Sequence, residues 1–448
     1  MISEILAEFI CSCNYTALPE TVRDMARRCV LDWLGSAIRG SIEPPARMYV
    51  DLARKEGAEP RASTVCGEFR TSVAWTAQIN AAASHTVEMD DLHPGSVLHP
   101  AAPIIPAALA VAESLDAGGE ELIAAIVAGY EVAIRAGEAA GRSHYDYWHT
   151  TATCGTFGAA AATARLLRLS TEQTMHALGS AGTQAAGLWQ FLDDGAMSKQ
   201  LHVAHAAAAG ILSAQLAQRG FTSARQIFEG RKGFLAAMSK DPYVNMLTEN
   251  LGNDYRMLTN SFKRHASCRH THTAIDAALV LRNEKKITAN DLNAIDVHLY
   301  PSGFRLLSEV KVTSGYAARF SIPYTIAAAV VRGRVGLKEF EDIDAPDIRH
   351  MMNRVHLIED VTLGRDYPEK WPARVVATMK NGESFTATVE YPKGDAKNPF
   401  TLEELREKFR ALTDGIVSSA EQERLIRISA ELERHRAQEI WVDCSGGL

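Results

Sequence analysis

The chain of 448 residues is long enough for two or three domains, or for one large helical domain with an insert. Hydrophobic residues make up 46% of the sequence, which allows a large core, and a formal net charge of -7 leaves no basic surface suited to nucleic acid or an anionic membrane. Small acidic substrates would therefore have to be bound by local positive groups.

The cysteines and the amino terminus bear on the compartment. The sequence contains 7 cysteines, dispersed and without a Cys-x-x-Cys spacing, which predicts reduced thiols. Glu4 and Glu8 lie where a secretory signal would carry positive charge, and no apolar run is long and smooth enough to span a bilayer. We therefore expect a cytoplasmic protein with no membrane partner.

The first part of the chain, to about Leu115, has apolar residues at three- and four-residue spacing, which predicts helices. Residues 85–100 interrupt this pattern with a dense group of titratable side chains: His85, Glu88, Asp90, Asp91, His93 and His99. A proline follows His93 and another follows His99, and the residue before a proline disfavours helical backbone, so we expect a loop between two helices. A solvated loop at a helix end is one interpretation. The apolar stretch that follows favours a loop drawn inward, where titratable groups usually serve a function.

Helices continue after this loop. Apolar spacing predicts one helix from 120 to about 140, and the small residues at 150–158 lead into another from 159 to about 167. Residues 170–173 form a capping-box pattern for the next helix, and an alanine-rich helix is predicted over 205–218. The many alanines favour close packing between helices and serve as a scaffold.

The pattern changes after about residue 263. Residues 294–301 alternate like a strand, and the runs 375–379 and 384–391 flank Asn381 and Gly382, a strong hairpin signal. A capping box at residues 401–404 then opens an amphipathic helix, so helices return at the carboxyl end.

These patterns predict the fold class and the domains. We expect a mainly α protein with a large all-helical domain of residues 1–267 and 395–448. A smaller α+β domain of residues 268–394 is inserted between the two parts.

Motifs for metals and nucleotides are absent from the sequence. There is no His-Glu-x-x-His, and His270 and His272 are two residues apart, which would place them on different sides of a helix. There is no phosphate-binding glycine motif and no Gly-x-Ser-x-Gly. We therefore predict no metal and no cofactor, which leaves acid/base chemistry by side chains.

Positive groups occur at three places. Residues 262–272 hold several of them at the predicted domain junction, Lys199 follows the flexible Gly195, and Arg319 precedes Tyr324. Each of these is compatible with a solvated surface when it is considered alone.

The order and spacing of several blocks resemble the MmgE/PrpD family over nearly the whole chain. The blocks are residues 88–91 with His99 and Pro100, residues 149–158, residues 198–202 with 220–221 and 229–230, Phe262 and Lys263 with His272, and residues 318–324. The family contains 2-methylcitrate dehydratases, cis-aconitate decarboxylases and iminodisuccinate epimerases, which act on small polycarboxylates without a metal. The resemblance implies a helical domain with a smaller α+β lid, and a homodimer.

The resemblance also implies a site. Matching positions give the catalytic set Asp91, His99, His149, Lys199, His272 and Tyr324, to which we add Tyr145 as a second proton carrier. We expect Asp91 to hold the imidazole of His99. The residues assigned to substrate binding are Lys263, Arg319, His93 and Gln190.

Chain length and two short segments indicate which branch of the family the sequence resembles most. The short chain and residues 145–148 before His149 are most similar to the iminodisuccinate epimerase branch, whereas residues 88–93 differ from the Asp-Phe-Asn-Asp-Thr-Trp segment of the dehydratases. We therefore expect epimerisation of iminodisuccinate. The alternatives are a 2-methylcitrate dehydratase-like lyase, a cis-aconitate decarboxylase-like lyase, and a polycarboxylate-binding protein without activity.

Overall fold

A computed structural model describes residues 1–65 and 69–441 of the chain. The chain divides into two compact units, one formed by Met1–Asn260 with the residues from Thr401 onward, the other by Ser261–Phe400. The junctions predicted from the sequence were at residues 267 and 394. We describe each unit by itself.

The first unit consists mainly of helices. Up to residue 260 its helices are α1 (Ile2–Ser12), α2 (Glu20–Ser41), α3 (Pro44–Glu56), α4 (Val73–Ser84), α5 (Ala101–Ser114), α6 (Gly119–Tyr145), α7 (Thr150–Leu166), α8 (Thr171–Gly182), α9 (Gln190–Asp194), α10 (Ser198–Gln218) and α11 (Phe234–Met238). A short antiparallel pair, β1 (Ala62–Ser63) and β2 (Arg70–Thr71), lies between α3 and α4. The prediction of an all-helical domain is therefore wrong at this ladder.

The second unit combines helices with a sheet. Its helices are α12 (His272–Glu284), α13 (Pro301–Leu307), α14 (Gly315–Ala318), α15 (Ile322–Arg332) and α16 (Pro346–Met352), and its strands are β3 (Leu292–Leu299), β4 (Val355–Glu359), β5 (Ala373–Met379) and β6 (Ser384–Val389). The strand order is β4-β3-β5-β6, with β3 and β4 parallel and the other pairs antiparallel. The predicted hairpin is confirmed, since β5 and β6 pair on either side of Gly382, whose φ is 90°.

Two helices at the carboxyl end return to the first unit. They are α17 (Leu402–Thr413) and α18 (Ser419–Ala430), and α17 packs against α2. The capping box predicted at residues 401–404 is confirmed: Thr401 Oγ1 accepts from the Glu404 main chain, and the Glu404 carboxylate accepts from the Thr401 main chain.

Helix α7 forms the centre of the first unit. Nearly all of its residues are buried, and it packs against α5, α6 and α10. A Cβ on Gly158 would lie 2.8 Å from the Gly129 carbonyl oxygen of α6, so glycine permits this close approach. The helix begins at Thr150, earlier than the predicted start at 159, because packing on three neighbours outweighs the low helix propensity of threonine and glycine.

Helix α10 also begins earlier than predicted. It starts at Ser198 rather than at His205, and its buried side chains include Lys199 and Gln200 in the first turn. As a result, Lys199 lies on a rigid helix instead of on a flexible connection. His149 is placed in a similar way, because it is the residue immediately before α7.

Two observations bear on the predictions of no membrane span and of reduced cysteines. Within residues 1–65 and 69–441, no helix is both long and apolar enough to cross a bilayer. The cysteines in this part of the chain are free thiols, namely Cys11, Cys13, Cys29, Cys154 and Cys268. Cys66 and Cys444 lie outside the described residues.

A close contact between α2 and α4 fixes where α4 ends. A Cβ on Gly40 of α2 would lie 1.9 Å from the carbonyl oxygen of Ala83, which is two residues before His85. The contact at Gly40 therefore leaves no room for a side chain, and it holds the end of α4 just before residues 85–100.

Gly40→Ala tests this contact. The added methyl group must displace α4, so we expect the free energy of unfolding, measured by urea denaturation, to fall by about 3 kcal/mol. Gly118→Ala is the matched control, because a Cβ there meets nothing within 4 Å, and it should change stability by no more than about 0.5 kcal/mol. Equal stability of the two variants would contradict the packing argument.

Candidate active site

The loop of residues 85–100, which we call the site loop, connects α4 to α5 and is largely buried. Its titratable residues His85, Glu88, Asp90, Asp91, His93 and His99 are all buried. The prediction that the loop is drawn inward is confirmed. Unpaired charges would be very costly in such a position, so each carboxylate requires a partner.

Asp90 is the carboxylate that joins two imidazoles. Its Oδ2 lies 2.6 Å from Nδ1 of His85 and 3.1 Å from Nδ1 of His99, and the two rings meet edge to face with centroids 5.0 Å apart. Burial alone would raise the pKa of Asp90, but the two histidines outweigh it and hold the pKa well below its usual value. Burial lowers the pKa of His85, although Asp90 opposes this effect. A carboxylate in this position stabilises a proton on either ring.

Asp91 points elsewhere, and its predicted contact with His99 is wrong. Its Oδ2 accepts hydrogen bonds from the Tyr130 hydroxyl at 2.8 Å and from Asn260 Nδ2 at 2.6 Å, and its Oδ1 accepts from the Ala101 main chain at 3.1 Å. Asp91 therefore ties the site loop to α5 and α6. No sequence signal indicated whether Asp90 or Asp91 contacts His99, because the directions of neighbouring side chains on an irregular loop follow no fixed pattern.

His149 extends the group of imidazoles. Its ring stacks on His85 with centroids 5.5 Å apart, and its Nδ1 lies 3.2 Å from Nδ1 of His202 on α10. Burial, and then the neighbouring histidines and Lys199, lower the pKa of His149 well below its usual value, and the pKa of His202 falls to about 4. These rings are therefore neutral at physiological pH. We call His85, Asp90, His99, His149 and His202 the imidazole cluster.

Lys199 forms a buried ion pair with Glu88 of the site loop. The side chain of Lys199 is 4% exposed and that of Glu88 is 1% exposed. Positive charge on Lys199 acts on His85, His149 and His202. The predicted residues His99, His149 and Lys199 thus lie in one neighbourhood, whereas Glu88, His85, Asp90 and His202 were not assigned to the site from the sequence.

Tyr145 and Trp189 form an aromatic wall beside His149. Tyr145, at the end of α6 beyond the break at Gly141, meets Trp189 edge to face with centroids 5.0 Å apart. The ring of Trp189 lies 4.8 Å from that of His149.

Gln190, predicted to bind substrate, is exposed, and its Nε2 donates to Asp193 at 3.5 Å.

His93 holds the loop together, so its predicted role in substrate binding is not supported by its contacts. The main-chain N–H of Ser96 donates to Nδ1, so the proton resides on Nε2, which donates to Thr259 Oγ1 at 2.8 Å. Burial, and then the charge of Arg256, lower the pKa of His93 to about 3. Both ring nitrogens are engaged by the protein itself.

The remaining predicted residues lie in the second unit. His272 opens α12, its Nε2 donates to the Ser267 carbonyl at 3.2 Å, and burial followed by the charges of His265, Arg269 and Lys263 lowers its pKa well below the usual value. Lys263 is buried, and it belongs to this cationic group.

Arg319 and Tyr324 have structural contacts in the second unit. The guanidinium of Arg319 lies over the ring of Phe340 at 5.6 Å. The hydroxyl of Tyr324 donates to the Glu339 carbonyl at 2.5 Å, and burial is the main cause that raises its pKa to about 12. Tyr324 was predicted to act as an acid or base. In the structure its hydroxyl proton is donated to a main-chain carbonyl.

A metal ion is another occupant that this set of donors suggests. Among the described residues, His85, Asp90 and His99 offer donor atoms within 4.8 Å of one another. However, the 2.6 Å separation between Asp90 and His85 is that of a hydrogen bond, and His99 lies at ion-pair distance, 3.1 Å, from the same oxygen. A cation would also be repelled by the nearby ammonium of Lys199. The donor set fits a carboxylate paired with two imidazoles better than a metal site.

Comparisons with known proteins identify the family of the chain. The sequence profile of the MmgE/PrpD N-terminal domain matches residues 4–246, and that of the MmgE/PrpD C-terminal domain matches residues 265–434. The chain belongs to the MmgE/PrpD family. The resemblance found in the sequence is confirmed at this level.

Relatives of this MmgE/PrpD protein include named enzymes. Cis-aconitate decarboxylase of Aspergillus terreus is 27% identical, over 93% of this chain and 90% of that protein. Cis-aconitate decarboxylase of Homo sapiens is 26% identical, over 96% and 92%. Cis-aconitate decarboxylase-like protein oryM of Aspergillus oryzae is 27% identical, over 94% and 92%. The family and these relatives indicate that the chain is an enzyme.

Asp91→Asn tests the buried acid of the site loop. Burial, and then the charge of Asp32, raise the pKa of Asp91 from 3.8 to about 7. Between these values the folded protein retains a proton that the unfolded chain has released, so this group lowers stability as the pH rises. Relative to wild type, the variant should gain on the order of 4 kcal/mol in free energy of unfolding between about pH 4 and pH 7, measured by urea denaturation. Parallel curves for the two proteins would show that Asp91 titrates normally.

Proposed function

We propose that this protein is a cofactor-independent acid/base lyase that acts on a carbon next to a carboxylate of a small polycarboxylate. The observation that carries the proposal is the carboxylate of Asp90 between two imidazoles, close to the ammonium of Lys199. Such chemistry needs a placed proton carrier and a cation that stabilises developing negative charge. Both are present among the residues of the first unit.

Each group has a definite task with a tricarboxylate such as cis-aconitate. Lys199 binds one substrate carboxylate. The bond between carbon and a second carboxylate breaks, carbon dioxide leaves, and the electron pair stays on the carbon, delocalised into the adjacent double bond. His99, whose Nδ1 lies 3.1 Å from the Asp90 carboxylate, then donates a proton to the carbon. Carboxylate and proton are consumed, and carbon dioxide and a carbon–hydrogen bond are formed.

The relatives support the choice of a lyase. Those described above are named as cis-aconitate decarboxylases or as similar to them, and this chain covers at least 90% of each. Their identity of 26–27% supports a shared type of reaction, and the substrate comes to this chain as part of the proposal.

Epimerisation of iminodisuccinate, expected from the sequence, is the second candidate. It needs two proton carriers, one to remove the proton from the carbon and one to return it on the opposite face. Tyr145 and His149 both contact Trp189, so a phenol and an imidazole border one aromatic wall. This arrangement is the observation that favours the epimerase.

Incubation in deuterated water distinguishes these reactions. We expect cis-aconitate to lose carbon dioxide and to gain one deuterium at carbon, as followed by proton NMR, also after exhaustive chelation of metals. Iminodisuccinate that gains deuterium with inverted configuration and no loss of mass would instead establish the epimerase. Binding of either compound without deuterium exchange would identify a polycarboxylate-binding protein and contradict both enzyme proposals.

Two neighbouring isosteric variants provide the control. Asp90→Asn removes the charge between His85 and His99, so kcat/KM should fall at least about 100-fold. Asp91→Asn removes the adjacent charge, which has no contact with His99, and it should keep kcat/KM within about 10-fold of wild type. The reverse order would show that the sequence-based assignment of Asp91 was right and that the contact of Asp90 is incidental.

We also propose the homodimer and the lid function of the α+β unit that the family resemblance implies. Met197, Leu201 and Leu212, on and just before α10, are 55%, 55% and 48% exposed, and exposed apolar groups of this kind often mark an interface. Light scattering should give about twice the chain mass of 48.8 kDa, and replacing both leucines by aspartate should give the monomer. A monomeric wild type would refute the homodimer.

A further inference from the structure

Glu88 has an unusual backbone for a residue with a side chain. Its φ is 58°, in the left-handed region that glycine prefers, and Val97 at the other end of the site loop has a φ of 51°. Such conformations persist only where the surroundings enforce them, and they concentrate at functional sites. In this conformation the carboxylate of Glu88 reaches Lys199 on α10.

The buried ammonium of Lys199, the partner of Glu88, needs a counter-charge. Lys199 lies in the first turn of α10, where the helix dipole disfavours a cation, and its side chain is almost completely buried. Lysine has a flexible four-carbon stem, so burial alone does not define the position of its ammonium. The carboxylate of Glu88 supplies a counter-charge in direct contact with the ammonium.

We propose that Glu88 is a positioning residue that holds the ammonium of Lys199 where a carboxylate of the substrate is bound. The proposal rests on the function proposed above, in which Lys199 binds that carboxylate. Displacing a binding group by about 1 Å can cost about 100-fold in rate, which gives a fixed ammonium its value.

The proposal predicts a specific kinetic signature. Glu88→Gln removes negative charge next to a site for an anion, so KM for cis-aconitate should not rise. The ammonium loses its fixed position, so kcat should fall about 10- to 100-fold. Lys199→Met removes the binding group itself and should raise KM. A purely structural role of Glu88 would lower the unfolding temperature without this division between kcat and KM.

A double variant tests whether Glu88 acts through Lys199. In the Lys199→Met background, Glu88→Gln should change kcat less than about twofold, because residues that act as a unit are not additive. Asp116→Asn is the matched control, since Asp116 has a φ of 53° and pairs with an arginine, Arg436, but is exposed. It should leave both kinetic constants unchanged. An undiminished effect of Glu88→Gln in the Lys199→Met background would overturn the proposal.

Crystal structures of the wild type and of Glu88→Gln, both without ligand, test the proposal independently of turnover. We expect the Lys199 ammonium to move by more than about 1 Å or to occupy several positions in the variant. An unmoved ammonium would overturn the role of Glu88. Failure of the wild type to act on cis-aconitate would refute the lyase only. If Glu88→Gln does not fold, Glu88→Asp, which keeps the charge on a shorter side chain, should show a smaller loss of kcat in the same direction.

Discussion

The removal of three carboxylates from water on one short loop is the constraint on which the first unit depends. Glu88 requires Lys199 of α10, Asp90 requires His85 and His99, and Asp91 requires the donors of Tyr130, Asn260 and the start of α5. Lys408 of α17 adds a further tie, because its ammonium donates to the Met89 carbonyl at 2.6 Å and to Asp32 at 2.5 Å. A loop that satisfies all of these partners has one conformation, and the helices that supply them are fixed relative to one another.

The same constraint sets the charge state of the imidazole cluster. Burial makes the charged form of an imidazole unfavourable, and the ammonium of Lys199 adds to this effect at His85, His149 and His202. Asp90 opposes it at the two rings that it touches. A proton on the cluster is therefore held best beside Asp90, whereas His149 and His202 are neutral at physiological pH.

Lyase and epimerase chemistry differ little in what they demand of this site. Both pass through negative charge on the carbon next to a carboxylate, and both need a cation near that charge and a proton carrier beside the carbon. They differ in which bond supplies the electron pair and in whether a second carrier faces the first. The described contacts of the first unit provide the two shared requirements, a cation and a proton carrier. This is consistent with a family that contains related reactions.

The sequence by itself determined the helical pattern, the capping boxes at residues 170–173 and 401–404, the hairpin at Gly382 and the inward path of the site loop, because each depends on local spacing or turn chemistry. It also indicated His99, His149 and Lys199 through the family resemblance. Only the tertiary structure decided between Asp90 and Asp91, since two adjacent side chains on an irregular loop carry no periodicity that tells which one faces the histidines. It also decided where α7 and α10 begin, because packing on neighbouring helices, which no local window contains, outweighs the intrinsic propensity of their first residues.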